Sequence, residues 1–240
     1  MGYYFDSRVR FSESGTDGHL TLPGILDYYQ DCCTFQANSI HQGQKELVKR
    51  NRVWVLNSWN ILVYRYPKTG EYIRTTTMPY KLAMCFGHRN FKMETLDGEL
   101  LSEANTLWTY LNIETGRPER LREEDLAGYV LDEPLDMPER SRKIQIPKHV
   151  RKDEPFMIRK HNLDANQHVN NVQYVRMALD FVPEGLRIRE MRAEYHLQAF
   201  LGDIFYPETA VSGDTMTVVF RNAEDAVYGV VEFTTDQKTV

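Results

Sequence analysis

Apolar residues recur at helical spacing twice along this 240-residue chain, and each time a series of β-patterned segments follows. The first helical pattern runs through Leu22, Pro23, Ile25, Leu26, Tyr29, Cys33 and Phe35. Pro23 suits the first helical turn, where its missing N–H costs nothing. An extended run over residues 3–11 and a turn-rich stretch over 12–18 precede it. Beyond it, residues 54–66, 72–80, 86–95 and 99–113 are rich in aromatic and β-branched side chains with Pro or Gly between them, which predicts strands. Asp97-Gly98 separates the last two and predicts a tight hairpin, since Gly accepts the positive φ of a type I′ turn. Thr115-Gly116-Arg117-Pro118 then ends the sheet.

The order repeats in the second part of the chain. An extended run over 155–160 leads to a helical pattern over 169–181, stopped by Pro183 and Gly185, and then to strands over 187–200, 205–212, 215–220 and 226–235. Between the two parts, acidic residues with Pro134 and Pro138 give way to a basic stretch containing Arg140, Arg142, Lys143, Lys148, Arg151 and Lys152. A charge switch with prolines reads as a linker. Asp17-x-His19-x-Thr21-Leu22 can be laid on Asp164-x-Asn166-x-His168-Val169, and Tyr64-x-Tyr66 before Gly70 on His196-x-Gln198 before Gly202. One long helix with a mostly antiparallel sheet, written twice, predicts an α+β protein: a first half over 1–120, a linker over 121–153 and a second half over 154–240.

Composition narrows the possibilities. A hydrophobic fraction of 42% is enough to bury a core in either half. The net charge of −5 argues against a nucleic-acid partner, which calls for a basic face. Cys32, Cys33 and Cys85 make neither a C-x-x-C pair nor a spaced framework, so reduced core thiols are expected and no metal or cofactor is. No apolar run approaches a membrane span and the first residues carry no targeting pattern, so the expected setting is cytoplasmic. Phosphate-loop, dinucleotide, nucleophile-elbow and zinc-protease motifs are absent from the sequence.

The stretch that carries chemistry is Asp164-Ala165-Asn166-Gln167-His168, at the entrance of the second helix. In an extended segment the three alternate side chains Asp164, Asn166 and His168 share one side, and the first helical turn adds N–H groups suited to a carbonyl oxygen gaining charge. That is equipment for acyl transfer to water. The same residues also read as a capped turn, with Asp164 and Asn166 shaping it, Asn170 capping the helix and His168 an interior histidine. Further on, Met191, Ala193, Tyr195, Leu197 and Ala199 alternate with Arg192, Glu194, His196 and Gln198. That polar face is either solvated or a set of partners for the helix-entrance motif.

Asn162-Leu163-Asp164-x-Asn166-x-His168-Val169-Asn170-Asn171 with Tyr174 resembles the catalytic segment of the acyl-[acyl carrier protein] thioesterases of plants and bacteria. Ala193-Glu194-Tyr195 ahead of Gln198 is similar to that family's following strand, and Trp108-x-x-x-Asn112-x-x-Thr115-Gly116-Arg117-Pro118 to the end of its first half. The resemblance implies a tandem hot-dog fold with catalysis in the second half, and it carries the catalytic Asp, Asn and His onto Asp164, Asn166 and His168. It departs at one position: where the plant enzymes have a catalytic Glu followed by Cys, this chain has Gln198 followed by Ala199. Gln orients a water but cannot take its proton.

The expected reaction is hydrolysis of a fatty acyl thioester on acyl carrier protein. Gln198 would hold the water, His168 deprotonate it, Asp164 orient the imidazole or the Asn166 amide, and Asn166 with the helix amides receive the oxyanion. Asp164 as base or nucleophile stays open. Tyr29, Trp54, Trp59 and Leu62 are candidate walls of the acyl slot in the first half, and the basic stretch with Arg159, Lys160, Arg189 and Arg192 is a candidate landing surface for the acidic carrier protein. A non-catalytic acyl-binding module, an acyl-CoA thioesterase and a hot-dog dehydratase or hydratase are the competing classes. A tandem repeat holds its own pseudo-dimer, so monomer and homodimer both fit.

Overall fold

The structure, a computed structural model, describes residues 2–141, 143–164 and 166–236. It divides into two compact units: Met1–Asn57 with Val63–Pro138, and Ser58–Leu62 with Glu139–Val240. The first holds β1 (Tyr3–Arg8), α1 (Leu22–Ser39), α2 (Gln44–Lys49), most of β2 (Arg52–Val63), β3 (Tyr72–Ala83), β4 (Phe86–Thr95), β5 (Leu100–Asn112) and α3 (Glu123–Leu126). Its strand order is β1-β3-β4-β5-β2, with antiparallel pairing at β1·β3, β3·β4 and β4·β5. Thr21 caps α1 by accepting the Gly24 N–H at 3.1 Å, Pro23 sits in its first turn, and Ile25, Leu26, Tyr29 and Cys32 form a fully buried stripe. The Tyr29 ring stacks on Phe91 of β4 with centroids 5.0 Å apart, and its hydroxyl shares a 2.6 Å hydrogen bond with Ser102 of β5.

The Asp97-Gly98 hairpin forms, but not as a type I′ turn. Gly98 alone has positive φ, at 90°; the Gly98 N–H donates to Thr95 O at 3.0 Å and the Thr95 N–H to Glu99 O at 2.9 Å. This is a three-residue loop closing on a left-handed glycine, in which Asp97 does not take the positive φ that a type I′ turn requires. Pro79 lies inside β3 at a register shift between Pro79 and Lys81, the kind of irregularity at which a strand accommodates proline.

The second unit holds β6 (Arg151–Lys152), β7 (Phe156–Met157), α4 (Asn171–Leu179), β8 (Ile188–Tyr195), β9 (Ile204–Ser212), β10 (Thr215–Arg221) and β11 (Val227–Thr235). Its order is β2-β8-β11-β10-β9-β6, with β7 also on β9, and Ser58–Leu62 of β2 supplies the strand beside β8. Tyr174 of α4 meets Tyr195, Phe205 and Phe220 at ring-centroid distances of 5.3, 5.5 and 6.1 Å, which seats the helix on this sheet. Helix α4 is shorter than the predicted 169–181, because Asn170 caps it, and β8 stops at Tyr195 rather than reaching 200.

The stretch read as a linker is divided between the units. In the first, the Tyr110 hydroxyl donates to Asp125 at 2.6 Å and the Leu135 N–H to Asn90 Oδ1 at 3.0 Å; in the second, Ile144 is buried against Val219 and Val230. The repeat is present in the hydrogen bonds of both units, two residues away from the register that the motif letters suggest. Gly15 N–H donates to His19 O as Asp164 N–H does to His168 O, both at 2.8 Å, and Thr21 caps α1 as Asn170 caps α4. The second offset stands: Tyr64 and Arg65 N–H both reach Leu101 O, as His196 and Leu197 N–H both reach Tyr228 O. His19 therefore matches His168, and Gly15 matches Asp164.

Candidate active site

The segment of Asp164, Asn166 and His168 is a closed turn, not an extended run presenting alternate side chains. Leu163 and Val169 form an isolated antiparallel bridge, Gln167 N–H donates to Asp164 O at 3.1 Å, and Gln167 takes a φ of 62° to make the reversal. The Asp164 carboxylate holds the turn from inside. Its Oδ1 accepts from Asn166 N–H at 2.8 Å and from His168 N–H at 3.3 Å, while its Oδ2 accepts from Asn166 Nδ2 at 3.3 Å. Of the two partners expected for Asp164, the structure supplies the Asn166 amide; the half-buried His168 ring meets Phe200, edge to face with centroids 4.9 Å apart. Ala165 lies outside the described residues.

The turn opens directly onto α4. Asn170 accepts the Val172 N–H at 2.8 Å, so one of the first-turn amides expected to receive an oxyanion is already used. The capped-turn reading and the catalytic reading thus describe the same atoms: the hydrogen bonds that make the turn also fix where the Asn166 amide stands.

Gln198 is not on a strand. The sheet breaks after Tyr195, and residues 196–203 form a mostly exposed loop whose buried Ala199 accepts the Val169 N–H on its carbonyl at 2.9 Å. That bond and the Phe200 contact run the Gln198 loop beside the His168 turn. Asp203 secures the loop's far end, accepting the Phe200 N–H at 2.9 Å. Burial pushes the Tyr228 hydroxyl up to about 12, with a hydrogen bond to Asp203 adding to the shift. Phe200 and Asp203 were not legible as site residues; the only hint was their place just after Gln198 and around Gly202.

On β8 itself the alternating polar side chains are neither solvated surface nor partners for the turn, while His196 and Gln198, beyond the strand, are exposed. Glu190 takes a two-pronged bond from Arg140 at 2.7 Å on each prong, and Arg192 pairs with Glu232 at 2.8 Å. Glu194 is buried, with His196 Nε2 at 3.5 Å from its Oε2. Much of the basic stretch is spent in the same way: Arg151 pairs with Asp153 and Arg189 with Asp214, at 2.8 and 2.9 Å, while Lys148, Lys152, Arg159 and Lys160 stay exposed. Arg142 lies outside the described residues.

Among the candidate slot residues, Tyr29 and Trp59 are fully buried, and Trp54 rests on Tyr110 at 4.8 Å in the first unit. Trp59 and Leu62 belong to the second unit, not the first half, because that end of β2 pairs with β8: Trp59 opposite Ala193, Leu62 opposite Glu190. Among the described residues, no three His, Cys, Asp or Glu side chains are grouped to hold a metal ion, and no helix is long and apolar enough to cross a membrane.

The order and geometry of these parts can be set beside known proteins. The profile of the acyl-ACP thioesterase N-terminal domain matches residues 3–129, and that of the C-terminal domain matches 146–205, a span that contains the turn, α4 and Gln198. This chain belongs to the acyl-ACP thioesterase family. The family's solved structures include an acyl-ACP thioesterase from Bacteroides thetaiotaomicron, which superposes with a TM-score of 0.89 at 22% identity over 97% of each chain. The 12:0-ACP thioesterase from Umbellularia californica superposes at 0.83, with 21% identity over 99% of each chain. These likenesses establish the tandem hot-dog α+β fold. The palmitoyl-acyl carrier protein thioesterase of Arabidopsis thaliana is 26% identical over 225 residues, 85% of this chain and 54% of that protein. The chain spans about half the length of the curated relatives it matches.

Proposed function

We propose that this acyl-ACP thioesterase family member hydrolyses the thioester between a fatty acyl chain and acyl carrier protein, releasing free fatty acid in fatty acid biosynthesis. The observation that carries the reading is the Asp164 turn, which ties the Asn166 amide and the His168 backbone to one carboxylate at the mouth of α4. Gln198 orients a water by hydrogen bonds and His168 takes its proton as the oxygen attacks the thioester carbon. Asn166 steadies the tetrahedral oxyanion, the carbon–sulfur bond breaks, and the imidazolium returns its proton to the departing thiolate. Because three donors already point at Asp164, its carboxylate is poorly placed as a nucleophile and acts by holding Asn166.

The test is release of free thiol from acyl chains of graded length, on carrier protein and on coenzyme A. His168→Ala is expected to lower turnover by about 100-fold or more while the urea midpoint stays put. Wild-type turnover by that variant overturns the role of His168. Release from neither substrate points to a binding module, and enoyl product without thiol to a dehydratase.

A further inference from the structure

The two units close the loop beside their turns with the same backbone bonds. In the first, Leu20 N–H donates to Pro67 O at 2.8 Å, Gly70 N–H to Val9 O at 2.9 Å and Val9 N–H to Glu71 O at 2.9 Å. In the second, Val169 N–H donates to Ala199 O at 2.9 Å, Gly202 N–H to Ile158 O at 3.1 Å and Ile158 N–H to Asp203 O at 2.8 Å. A side-chain lock is repeated too, since Glu71 accepts the Lys68 N–H at 2.8 Å as Asp203 accepts the Phe200 N–H at 2.9 Å. The register is thereby fixed residue by residue, with Tyr66 in the place of Gln198. Differences at matched positions are differences that the loop's backbone does not demand.

Two of these differences add a hydroxyl to the second unit. Tyr228, whose carbonyl takes the His196 and Leu197 N–H groups, matches Leu101, whose carbonyl takes those of Tyr64 and Arg65. Tyr174, four residues past the Asn170 cap, matches Ile25, four past Thr21. Leu101 and Ile25 are fully buried, so an apolar side chain serves at both places, and a buried phenol there costs desolvation unless its hydroxyl finds a partner. Both hydroxyls find one on the Gln198 loop: Tyr174 donates to Leu197 O at 3.4 Å, and Tyr228 to the Asp203 carboxylate. The Tyr228 bond stands where Glu71 holds the Arg65 guanidinium at 2.7 and 3.0 Å, a cation missing from the second loop because Leu197 occupies that position. Room for the Tyr174 ring comes from Gly229, where an added Cβ would lie 3.1 Å from Tyr174 Cδ1. Gln198 is exposed, yet both its neighbours are held: Leu197 by Tyr228 and Tyr174, and Ala199 by Val169 of the His168 turn.

We propose that Tyr174 and Tyr228 are positioning residues for the hydrolysis, their hydroxyls holding the Gln198 loop so that the Gln198 amide meets the water that His168 deprotonates. The proposal rests on the assignment of that water to Gln198. Neither hydroxyl touches the substrate; each acts through Leu197 or Asp203 on the residue that lies between them in the loop.

The test uses the full chain and combines Tyr174→Phe and Tyr228→Phe, which keep the rings against Phe205 and remove one oxygen each, with Gln198→Ala. Each Phe variant is expected to lower kcat about tenfold with KM for short soluble thioesters unchanged. In the Gln198→Ala background the same changes should cost less than about twofold, because the loop no longer carries a side chain to position. Hydrogen exchange reads the hold on the loop directly: the amides of residues 196–203 should exchange about tenfold faster in each Phe variant, while those of β10 stay as in wild type. Wild-type kcat and wild-type loop exchange in the Phe variants overturn the proposal. So do losses of equal size with and without Gln198, which mark a general effect on the fold. Wild-type kcat in Gln198→Ala removes Gln198 from the reaction and overturns the proposal while hydrolysis stands. No thiol release by any of these proteins refutes the hydrolytic reading; faster loop exchange in the Phe variants then still supports the hold on the loop, and unchanged exchange overturns it.

Discussion

Replacing Asp164 separates holding the turn from doing the chemistry. Of the three bonds its carboxylate accepts, only the one from Asn166 N–H, at 2.8 Å, is short; the other two are 3.3 Å. A well-made hydrogen bond to a charged group contributes about 1.5–3 kcal/mol, and long bonds on a solvent-facing turn far less. The first unit closes the same turn with its carboxylate elsewhere: Gly15 N–H reaches His19 O at 2.8 Å, and Asp17, rather than the residue at the Asp164 position, accepts the His19 N–H at 3.1 Å. Asp164→Ala should therefore cost about 1–2 kcal/mol, leaving a folded protein. Its effect on turnover should be larger: a displacement of the Asn166 amide by about 1 Å is enough for a loss of about 100-fold. Asp164→Asn keeps an oxygen for the Asn166 N–H while losing the charge, so it should lie between wild type and Asp164→Ala, about tenfold down. Urea denaturation with steady-state and single-turnover thiol release reads both quantities. If Asp164→Asn is as inactive as Asp164→Ala, and both fall more than about 1,000-fold, the carboxylate is itself the base or nucleophile and the positioning argument fails.

Three other expectations rest on single contacts. Phe200→Ala removes the ring lying 4.9 Å from His168, so kcat should fall several-fold with little change in KM for short thioesters; an effect confined to KM would place Phe200 against the substrate instead. Glu71 accepts Arg65 at 2.7 and 3.0 Å, and the Arg65 guanidinium holds its carboxyl below the ordinary 4.5. A depressed carboxylate stabilises the fold above its unfolded value and loses that contribution as pH falls through the folded one, so the gap in urea midpoint between wild type and Glu71→Gln should be widest near neutrality and close below about pH 4.5. A gap that stays constant down to pH 3 counts against the ion pair. Reversing the exposed Arg159 and Lys160 to Glu should slow carrier-linked substrates more than short soluble thioesters, and equal slowing removes that face as the landing surface.

The helices and most strands were legible because burial imposes the period that the letters show: Tyr29 and Phe91 are apolar where α1 meets β4, and the eight buried or half-buried positions of β5 between Ala104 and Leu111 leave no room for a helical period. The candidate site was legible as a polar turn at a helix entrance and not in its geometry. Nothing in Asp164-x-Asn166-x-His168 says that Gln167 turns left-handed and folds the three residues back on themselves, since that depends on the long-range bond from Val169 to Ala199. Alternation likewise carried β8 on to Gln198, because the doubled use of the Tyr228 carbonyl by His196 and Leu197 has no local signature. The repeat was read two residues out of register for a related reason. Asp17 and Asp164 look alike in sequence, but the backbone pairs Asp164 with a glycine.

That pairing gives the molecule an internal control. His19 and His168 occupy the same place in the same hydrogen-bonded turn, each one residue ahead of the bridge that leads to a helix cap; the His19 turn carries the Asp17 carboxylate, and the His168 turn the carboxylate and amide of Asp164 and Asn166. Deleting each imidazole in turn removes equal mass from equivalent scaffolds within one chain. The loss common to both variants measures what the turn owes to a histidine, and the excess at position 168 measures what the reaction does.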